Sequence, residues 1–180
     1  WTEHIIDEFK VAHDLYMADI DDDGEEELIA GAINEEGGVL FWYKIPKDPR
    51  GKWERRVIDS EINRTTAGDH WGGHGLDVVD IDKDGYLDVL TTSMGEGQFL
   101  WYQNPGPPFT GEWKKHVIGG SVEEGTSCLI RAADLYGDGQ LQVLGGGEHS
   151  MGSGENYTPE NDKLMIFTPN DDIYEDYWKQ

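Results

Sequence analysis

Apolar residues along this chain occur in short runs bounded by Gly, Pro, Asp and Asn, and no segment shows a sustained 3.6-residue apolar period. Short runs separated by turn residues are typical of β-strands, so helix should be scarce. The runs recur three times in one order, which predicts an all-β chain of three sheets, each with four antiparallel strands. The first strands are predicted at 15–20, 76–81 and 129–135, the second at 27–32, 87–93 and 141–147, and the third at 39–44, 99–104 and 163–168.

The outer strand of each sheet has its own marker, a Trp followed three residues later by a basic residue, an aliphatic residue and Ile. The marker begins at Trp1, Trp53 and Trp113, and a shortened copy begins at Trp178. Tandem four-stranded sheets are the architecture of β-propeller blades. The predicted blades span about 13–60, 74–120 and 127–180, with 1–6 as the outer strand of a preceding blade or a closing strand.

The number of blades bears on possible partners. A complete propeller has about 4–8 blades, so three blades cannot close a ring by themselves. We therefore expect a fragment of a longer propeller, or a unit that is completed by copies of itself. Further blades of a parent chain or second copies are accordingly expected partners.

Two acidic loops join the first and second strands of the first two sheets, with the shared pattern Asp-x-Asp-x-Asp-Gly-x-x-acid. Carboxylates at positions 1, 3 and 5 converge when such a loop curls, Gly at position 6 permits the sharp turn, and the acid at position 9 closes the site. Hard oxygen ligands favour Ca2+ over a transition metal. The expected ligands are the side chains of Asp19, Asp21, Asp23 and Glu27 with the Glu25 carbonyl, and those of Asp80, Asp82, Asp84 and Asp88 with the Tyr86 carbonyl.

Two alternatives to this calcium loop are weighed. The helical calcium hand requires Glu at position 12 and flanking helices, whereas that position holds Ala30 or Thr91 and a predicted strand follows each loop. A plain acidic turn without an ion is the other alternative, because Asp and Gly favour turns in any case.

A third copy of the loop, at 134–142, lacks part of the pattern. Tyr136 cannot supply a compact oxygen at position 3, and Gln142 at position 9 is uncharged. Asp134 and Asp138 remain, and two carboxylates are too little charge to offset dehydration of the ion. Calcium at the third loop is therefore expected to be weak or absent.

The acidic pattern between two strands, together with Gly-rich turns and aromatic strands, resembles the FG-GAP/VCBS repeat, the calcium-loop blade of integrin-alpha-like propellers. The segment Leu100-Trp-Tyr-Gln-Asn-Pro105, followed by 113–118, is similar to secreted VCBS-type propellers of microbes and fungi. These include lectin propellers and the propeller part of aldos-2-ulose dehydratase. The resemblance implies blades that carry calcium, and calcium loops of modest affinity fill best outside cells, so an extracellular or secreted location is expected.

Charge narrows the classes of partner. The chain has 37 acidic and 14 basic residues, and its formal net charge is -23. This balance disfavours nucleic acid and anionic membranes, and no segment is long and apolar enough to predict membrane insertion. A glycan or a protein is the expected partner, while charge that serves only solubility or high salt is the alternative.

Ligand-contacting residues are expected first near the central channel. His13 and His74 each lie six residues before a calcium loop, where the inner strands of the blades start. Two imidazoles at that depth could bind a transition metal or contact a ligand. The alternative is that each imidazole satisfies a local backbone carbonyl.

Ligand contacts are also expected in two loops that have no counterpart in the other blades, because loops outside a repeat tend to carry function. Trp71 suits stacking on a sugar face, as an aromatic ring in a Gly-rich loop. The candidates are Asp69, His70 and Trp71 in the first loop, and Glu148, His149 and Asn156 in the second.

Three functions remain open from these observations. The favoured one is a calcium-stabilised extracellular recognition module that binds glycan or protein and is not an enzyme. The second is the propeller part of a carbohydrate-active lyase or dehydratase, with a metal near His13, His74 and the central channel. The third is a purely structural repeat that assembles with itself.

Overall fold

The computed structural model describes residues 2–33, 37–62, 72–120, 126–148 and 163–180. These residues form strands and no helix, which confirms the all-β prediction, and they contain no helix long and apolar enough to cross a membrane. The strands are β1 (Val11–Ala18), β2 (Glu27–Ile33), β3 (Gly38–Lys44), β4 (Glu54–Asp59), β5 (Gly72–Val79), β6 (Asp88–Ser93), β7 (Gln98–Gln103), β8 (Lys114–Gly119), β9 (Thr126–Ala133), β10 (Gln142–Glu148) and β11 (Lys163–Phe167).

The strands form three open antiparallel sheets, as predicted for partial propeller blades. Blade one has the order β1-β2-β3-β4, blade two β5-β6-β7-β8, and blade three β9-β10-β11. Strands that are adjacent in sequence are therefore adjacent in the sheet, which is the arrangement that short polar turns produce. The inner strands β1, β5 and β9 begin and end earlier than predicted. They end earlier because the first Asp of each loop already belongs to the turn that follows.

Blade three differs from the prediction of four strands. Its outer position is held by a single bridge between Thr168 and Lys179. That bridge occupies the register of the Lys44–Glu54 pair in blade one. The shortened outer-strand marker at Trp178 therefore lies where the prediction places it, but it forms one bridging residue pair and not a full strand.

Apolar side chains hold the blades together. One cluster joins Trp42 of blade one to Leu76 of blade two, and another joins Phe99 of blade two to Phe167 of blade three. Burial of such surface supplies about 25 cal/mol per Å2 and is the dominant stabilising contribution. A Cβ at Gly145 would lie 2.5 Å from Phe99 Cζ, so this close packing of blades two and three requires glycine there.

The outer face of blade three is exposed and apolar. Leu164 and Ile166 are 80% and 42% exposed, although the equivalent Leu40 and Trp42 of blade one are buried against blade two. On the opposite face of blade one, Phe9 packs against Phe41, with 4.8 Å between the ring centroids. The exposed face of blade three is the surface that a further blade would cover.

Candidate metal centres and adjoining pockets

The first carboxylate of each acidic loop folds the loop back on itself. Asp19 accepts hydrogen bonds from the backbone N–H groups of Asp23 at 3.0 Å and Gly24 at 2.9 Å. Asp80 and Asp134 make the same two bonds to positions 5 and 6 of their own loops. The three loops therefore share one curled backbone, including the third, whose carboxylates are fewer.

Two positions in each loop have left-handed backbone. The predicted glycine at position 6 has φ between 84° and 99° in the three loops. Position 4 is also left-handed, with φ of 53°, 62° and 70° at Asp22, Lys83 and Gly137. Glycine adopts this conformation without steric cost. Gly137 therefore preserves the turn of the third loop, although this loop has fewer carboxylates than the other two.

The residue at position 9 has a structural role that the sequence did not reveal. Asp88 accepts a hydrogen bond from the Ile81 N–H at 3.3 Å, and Glu27 makes the equivalent contact in the first loop. Gln142 accepts the corresponding bond from the Leu135 N–H at 2.9 Å. All three side chains are buried. Position 9 therefore satisfies a backbone donor in every loop, and glutamine retains that function without the charge.

Carboxylates converge in the first two loops. Three oxygen atoms in each loop lie within 4.8 Å of one another, and they belong to Asp19, Asp21 and Glu27 and to Asp80, Asp82 and Asp88. The predicted ligands Asp23 and Asp84 are outside these clusters, and each accepts a hydrogen bond from the N–H at position 7. Among the residues that the structure describes, the third loop forms no such cluster.

Negative charge in the two clusters is only partly compensated. Burial, with the neighbouring Asp21, raises the pKa of Glu27 to about 7, and burial raises the pKa of Asp88 to about 7. The Asp21 side chain is 8% exposed, and no described residue donates a hydrogen bond to its buried Oδ1 atom. An enclosed carboxylate oxygen without a donor is the arrangement that a bound cation would stabilise.

The second and third loops lie in a segment with a recognisable repeat. Residues 80–145 match the FG-GAP-like repeat. The match begins at Asp80, the first carboxylate of the second loop, and extends through the third loop into β10. A comparison with curated proteins finds no match. The match supports a repeat of the FG-GAP/VCBS type, and similarity to lectin or dehydratase propellers stays a prediction.

A side chain from the end of the third strand reaches each acidic cluster. In the FG-GAP-like segment, Gln103 Nε2 donates to Asp82 Oδ2 at 2.8 Å. In blade one, Lys44 Nζ lies 2.8 Å from Asp21 Oδ2 and also contacts Asp23 Oδ2. The two carboxylates raise the pKa of Lys44, which stays charged. The sequence analysis missed both residues, although their shared place at the end of the aromatic strand was a usable signal.

Asn104 connects the first two loops. Its Nδ2 donates to the Ile20 carbonyl at 3.0 Å in blade one and to the Leu87 carbonyl at 2.9 Å in blade two. Its backbone N–H donates to Asp88 Oδ1 at 2.8 Å. Asn104 therefore links the start of the first acidic loop, at Ile20, to the carboxylate that closes the second loop, Asp88.

The structure brings together the predicted pair His13 and His74. Their ring centroids are 3.5 Å apart, on the neighbouring inner strands β1 and β5. Burial and the adjacent His13 lower the pKa of His74 to about 4, so both rings can be neutral. In the described ranges, no third His, Cys or carboxylate completes a metal cluster with them. Metal binding at this pair stays a prediction.

The remaining predicted ligand residues are in the two unrepeated loops. Asp69, His70, Trp71, His149 and Asn156 lie outside the described residues. Glu148 ends β10, but its side chain is likewise outside the description. Their roles stay predictions.

Two pockets lie at equivalent outer strands, one between blades one and two and the other between blade one and the segment that precedes β1. One has a volume of about 410 Å3 and is lined by Asp59, Tyr102, Trp113 and Lys115 among others. The other has a volume of about 480 Å3 and is lined by residues at the same repeat positions, Asp7, Tyr43, Trp53 and Arg55. In each pocket the tyrosine hydroxyl donates to the aspartate, at 2.6 Å and 2.5 Å respectively.

Proposed function

We propose that the chain is a calcium-stabilised propeller segment that acts outside the cell as a recognition module for a glycan or a protein. The observation that carries the proposal is the pair of carboxylate clusters at equivalent positions of blades one and two. The FG-GAP-like match, which contains the second cluster, supports it.

The donor set suits Ca2+. Each cluster offers only carboxylate oxygens, and calcium takes 6–8 oxygen ligands in flexible geometry. The clustered carboxylates would hold the ion, with Asp23, Asp84 and the carbonyls of Glu25 and Tyr86 as further proposed ligands. The ion would neutralise their mutual repulsion and connect the inner strand of each blade to the next strand. Asp134 and Asp138 of the third loop are proposed to bind weakly or not at all.

Ligand recognition is proposed at the two equivalent pockets, and the Trp71 loop remains a second candidate surface. Trp53 and Trp113 are half-buried, so each presents part of a flat apolar ring beside a carboxylate and a cation. A sugar can place an apolar face on such a ring and direct its hydroxyls to the charged groups. Repetition of the same pocket at successive blades favours a ligand with repeated units.

Removal of calcium is expected to lower the melting temperature by about 5–10 °C for each ion that is lost. An ion at a hundredfold excess over its Kd contributes about 2.7 kcal/mol, and each kcal/mol shifts the melting temperature of a chain this size by about 2–4 °C. Circular-dichroism melting curves in CaCl2 and in EGTA measure the shift. The Asp82→Asn variant should lose the part of the shift that comes from the second loop, whereas Asp138→Asn in the third loop should retain the whole shift. Superimposable curves in calcium and chelator would contradict the proposal.

Substitution of Trp113 by alanine is expected to weaken glycan binding about thirtyfold. A stacking Trp at a binding hot spot contributes about 2 kcal/mol or more. Binding of a panel of neutral oligosaccharides to the wild-type chain, Trp113→Ala and Trp71→Ala measures the effect, with melting curves as the control for folding. Loss in Trp71→Ala alone would move the ligand site to the unrepeated loop. No binding by the wild-type chain would favour a protein ligand or a purely structural repeat.

A further inference from the structure

The position at the end of the aromatic third strand carries a different residue in each blade. Equivalent strand pairs, Leu28 with Tyr43 and Val89 with Tyr102, align Lys44 of blade one with Gln103 of blade two. The same register places Thr168 there in blade three. The residue at this position is therefore a cation in blade one, a neutral residue with a long amide side chain in blade two, and a neutral residue with a short side chain in blade three.

In blade one this position places a positive charge inside the carboxylate cluster. Lys44 Nζ lies 2.8 Å from Asp21 Oδ2 and contacts Asp23 Oδ2. The ammonium group does not satisfy the whole cluster, since the buried Asp21 Oδ1 still accepts no hydrogen bond from the part of the chain that the structure describes. Lys44 thus contacts Asp21 and Asp23, two of the four acidic side chains that are predicted as calcium ligands in the first loop.

In blade two the same oxygen receives a neutral donor. Gln103 Nε2 donates to Asp82 Oδ2 at 2.8 Å, and Tyr174 Oη donates to the same atom at 3.2 Å. An amide also has a carbonyl oxygen, so Gln103 can turn its acceptor toward an arriving cation. An ammonium has only donors and must leave. The two clusters therefore have carboxylates at the same three loop positions, but a cation contacts the first cluster and a neutral amide contacts the second.

We propose that Lys44 is a tethered cation of the first loop that neutralises the cluster when calcium is absent and competes with Ca2+ when it is present. This inference rests on the proposed calcium sites and makes them unequal. The second loop fills first, and the first loop fills only at higher calcium, when the ammonium group is displaced.

Two physical effects produce the difference in affinity. The tether holds the ammonium at an effective concentration in the millimolar range or above, so calcium must compete with a group that is always present. The displaced ammonium also remains near the ion, and like charges repel strongly where solvent screening is reduced. The side chain of Gln103 imposes neither effect on the second loop.

Calcium titration of Lys44→Gln and the reciprocal Gln103→Lys variant tests the proposal. The wild-type chain should show one site and a second that is at least about tenfold weaker, and Lys44→Gln should bring the two within about threefold. Gln103→Lys should weaken the remaining tight site by a similar factor. The site strengthened in Lys44→Gln should disappear when Asp19→Asn is added, which assigns it to the first loop.

Melting curves provide a readout that does not depend on calcium affinity. In EGTA, Lys44→Gln should melt below the wild-type chain, because the cluster loses the ammonium group that contacts it. In saturating CaCl2 the difference should vanish, since the ion replaces the charge. A lysine with a merely structural role would lower the melting temperature equally in both conditions.

The outcomes separate this inference from the proposed function. Two equal calcium sites in the wild-type chain, unchanged in Lys44→Gln, would overturn the role of Lys44 and leave the calcium sites intact. Absence of calcium binding in every variant would overturn the proposed function together with the competition. Unequal sites that become equal in Lys44→Gln would support both.

Discussion

Replacement of Asp88 by alanine is expected to lower the melting temperature by about 10 °C or more in the presence of Ca2+. Asp88 is fully buried and accepts hydrogen bonds from the N–H groups of Ile81 at 3.3 Å and Asn104 at 2.8 Å. Loss of both bonds leaves buried donors unsatisfied, at about 1–3 kcal/mol, and loss of the proposed ion removes about 2.7 kcal/mol more. Circular-dichroism melting measures the sum.

Gln142→Ala is the matched control for this prediction. Gln142 is equally buried and also accepts a loop N–H, that of Leu135, but it is uncharged. Its loss should destabilise the chain to the same extent in CaCl2 and in EGTA. The effect of Asp88→Ala should be larger in CaCl2 than in EGTA. Calcium-independent effects in both variants would show that position 9 acts only through its hydrogen bonds.

Replacement of Trp101 by alanine is expected to cost about 3–5 kcal/mol and to lower the melting temperature by about 10 °C. The ring is fully buried, stacks on His116 with 4.4 Å between centroids, and meets Trp178 at 6.3 Å. It therefore supports both the outer strand of blade two and the segment that leads to residue 180. Trp101→Phe, which keeps an aromatic ring, should lose less.

Hydrogen exchange should localise the effect of Trp101→Ala. The N–H groups of Tyr177 and Trp178 donate to the carbonyls of Val117 and Ile118 at 2.7 and 2.8 Å, beside the Trp101 ring. Exchange at these two amides should accelerate. The Ile62 N–H, which donates to Gly38 in blade one, should be unaffected. Acceleration at all three amides would indicate global unfolding instead of local release.

The repeat and its sheets could be predicted because their signals are local. The acidic pattern, the aromatic third strands and the Trp marker each lie within a few residues, and antiparallel strands joined by short turns pair with their sequence neighbours. Boundaries were less accurate. The inner strands end earlier than predicted, because Asp19 and its counterparts bond to the turn that follows, and apolar runs do not report such bonds.

The candidate site was predicted only in part, for a related reason. Asp19, Asp21 and Glu27 converge as expected because one turn brings them together. Asp23 instead accepts a backbone N–H and contacts Lys44, which lies two strands away. The partners of a charged side chain across a sheet depend on register and side-chain reach, and a motif of nine residues contains neither.

The sequence by itself determined the all-β class, the threefold recurrence of its units and the positions of the acidic loops, since all three follow from patterns of short range. The tertiary structure alone decided what surrounds those loops: Lys44 in one cluster and Gln103 in the other, Asn104 between them, and the equivalent pockets at Trp53 and Trp113. These contacts form between strands and between blades, where packing of distant segments selects one neighbour among many. The positive charge of Lys44 reaches the first loop only when the sheet is assembled. We expect this charge to make the calcium affinities of the two loops unequal, although their motifs are nearly the same.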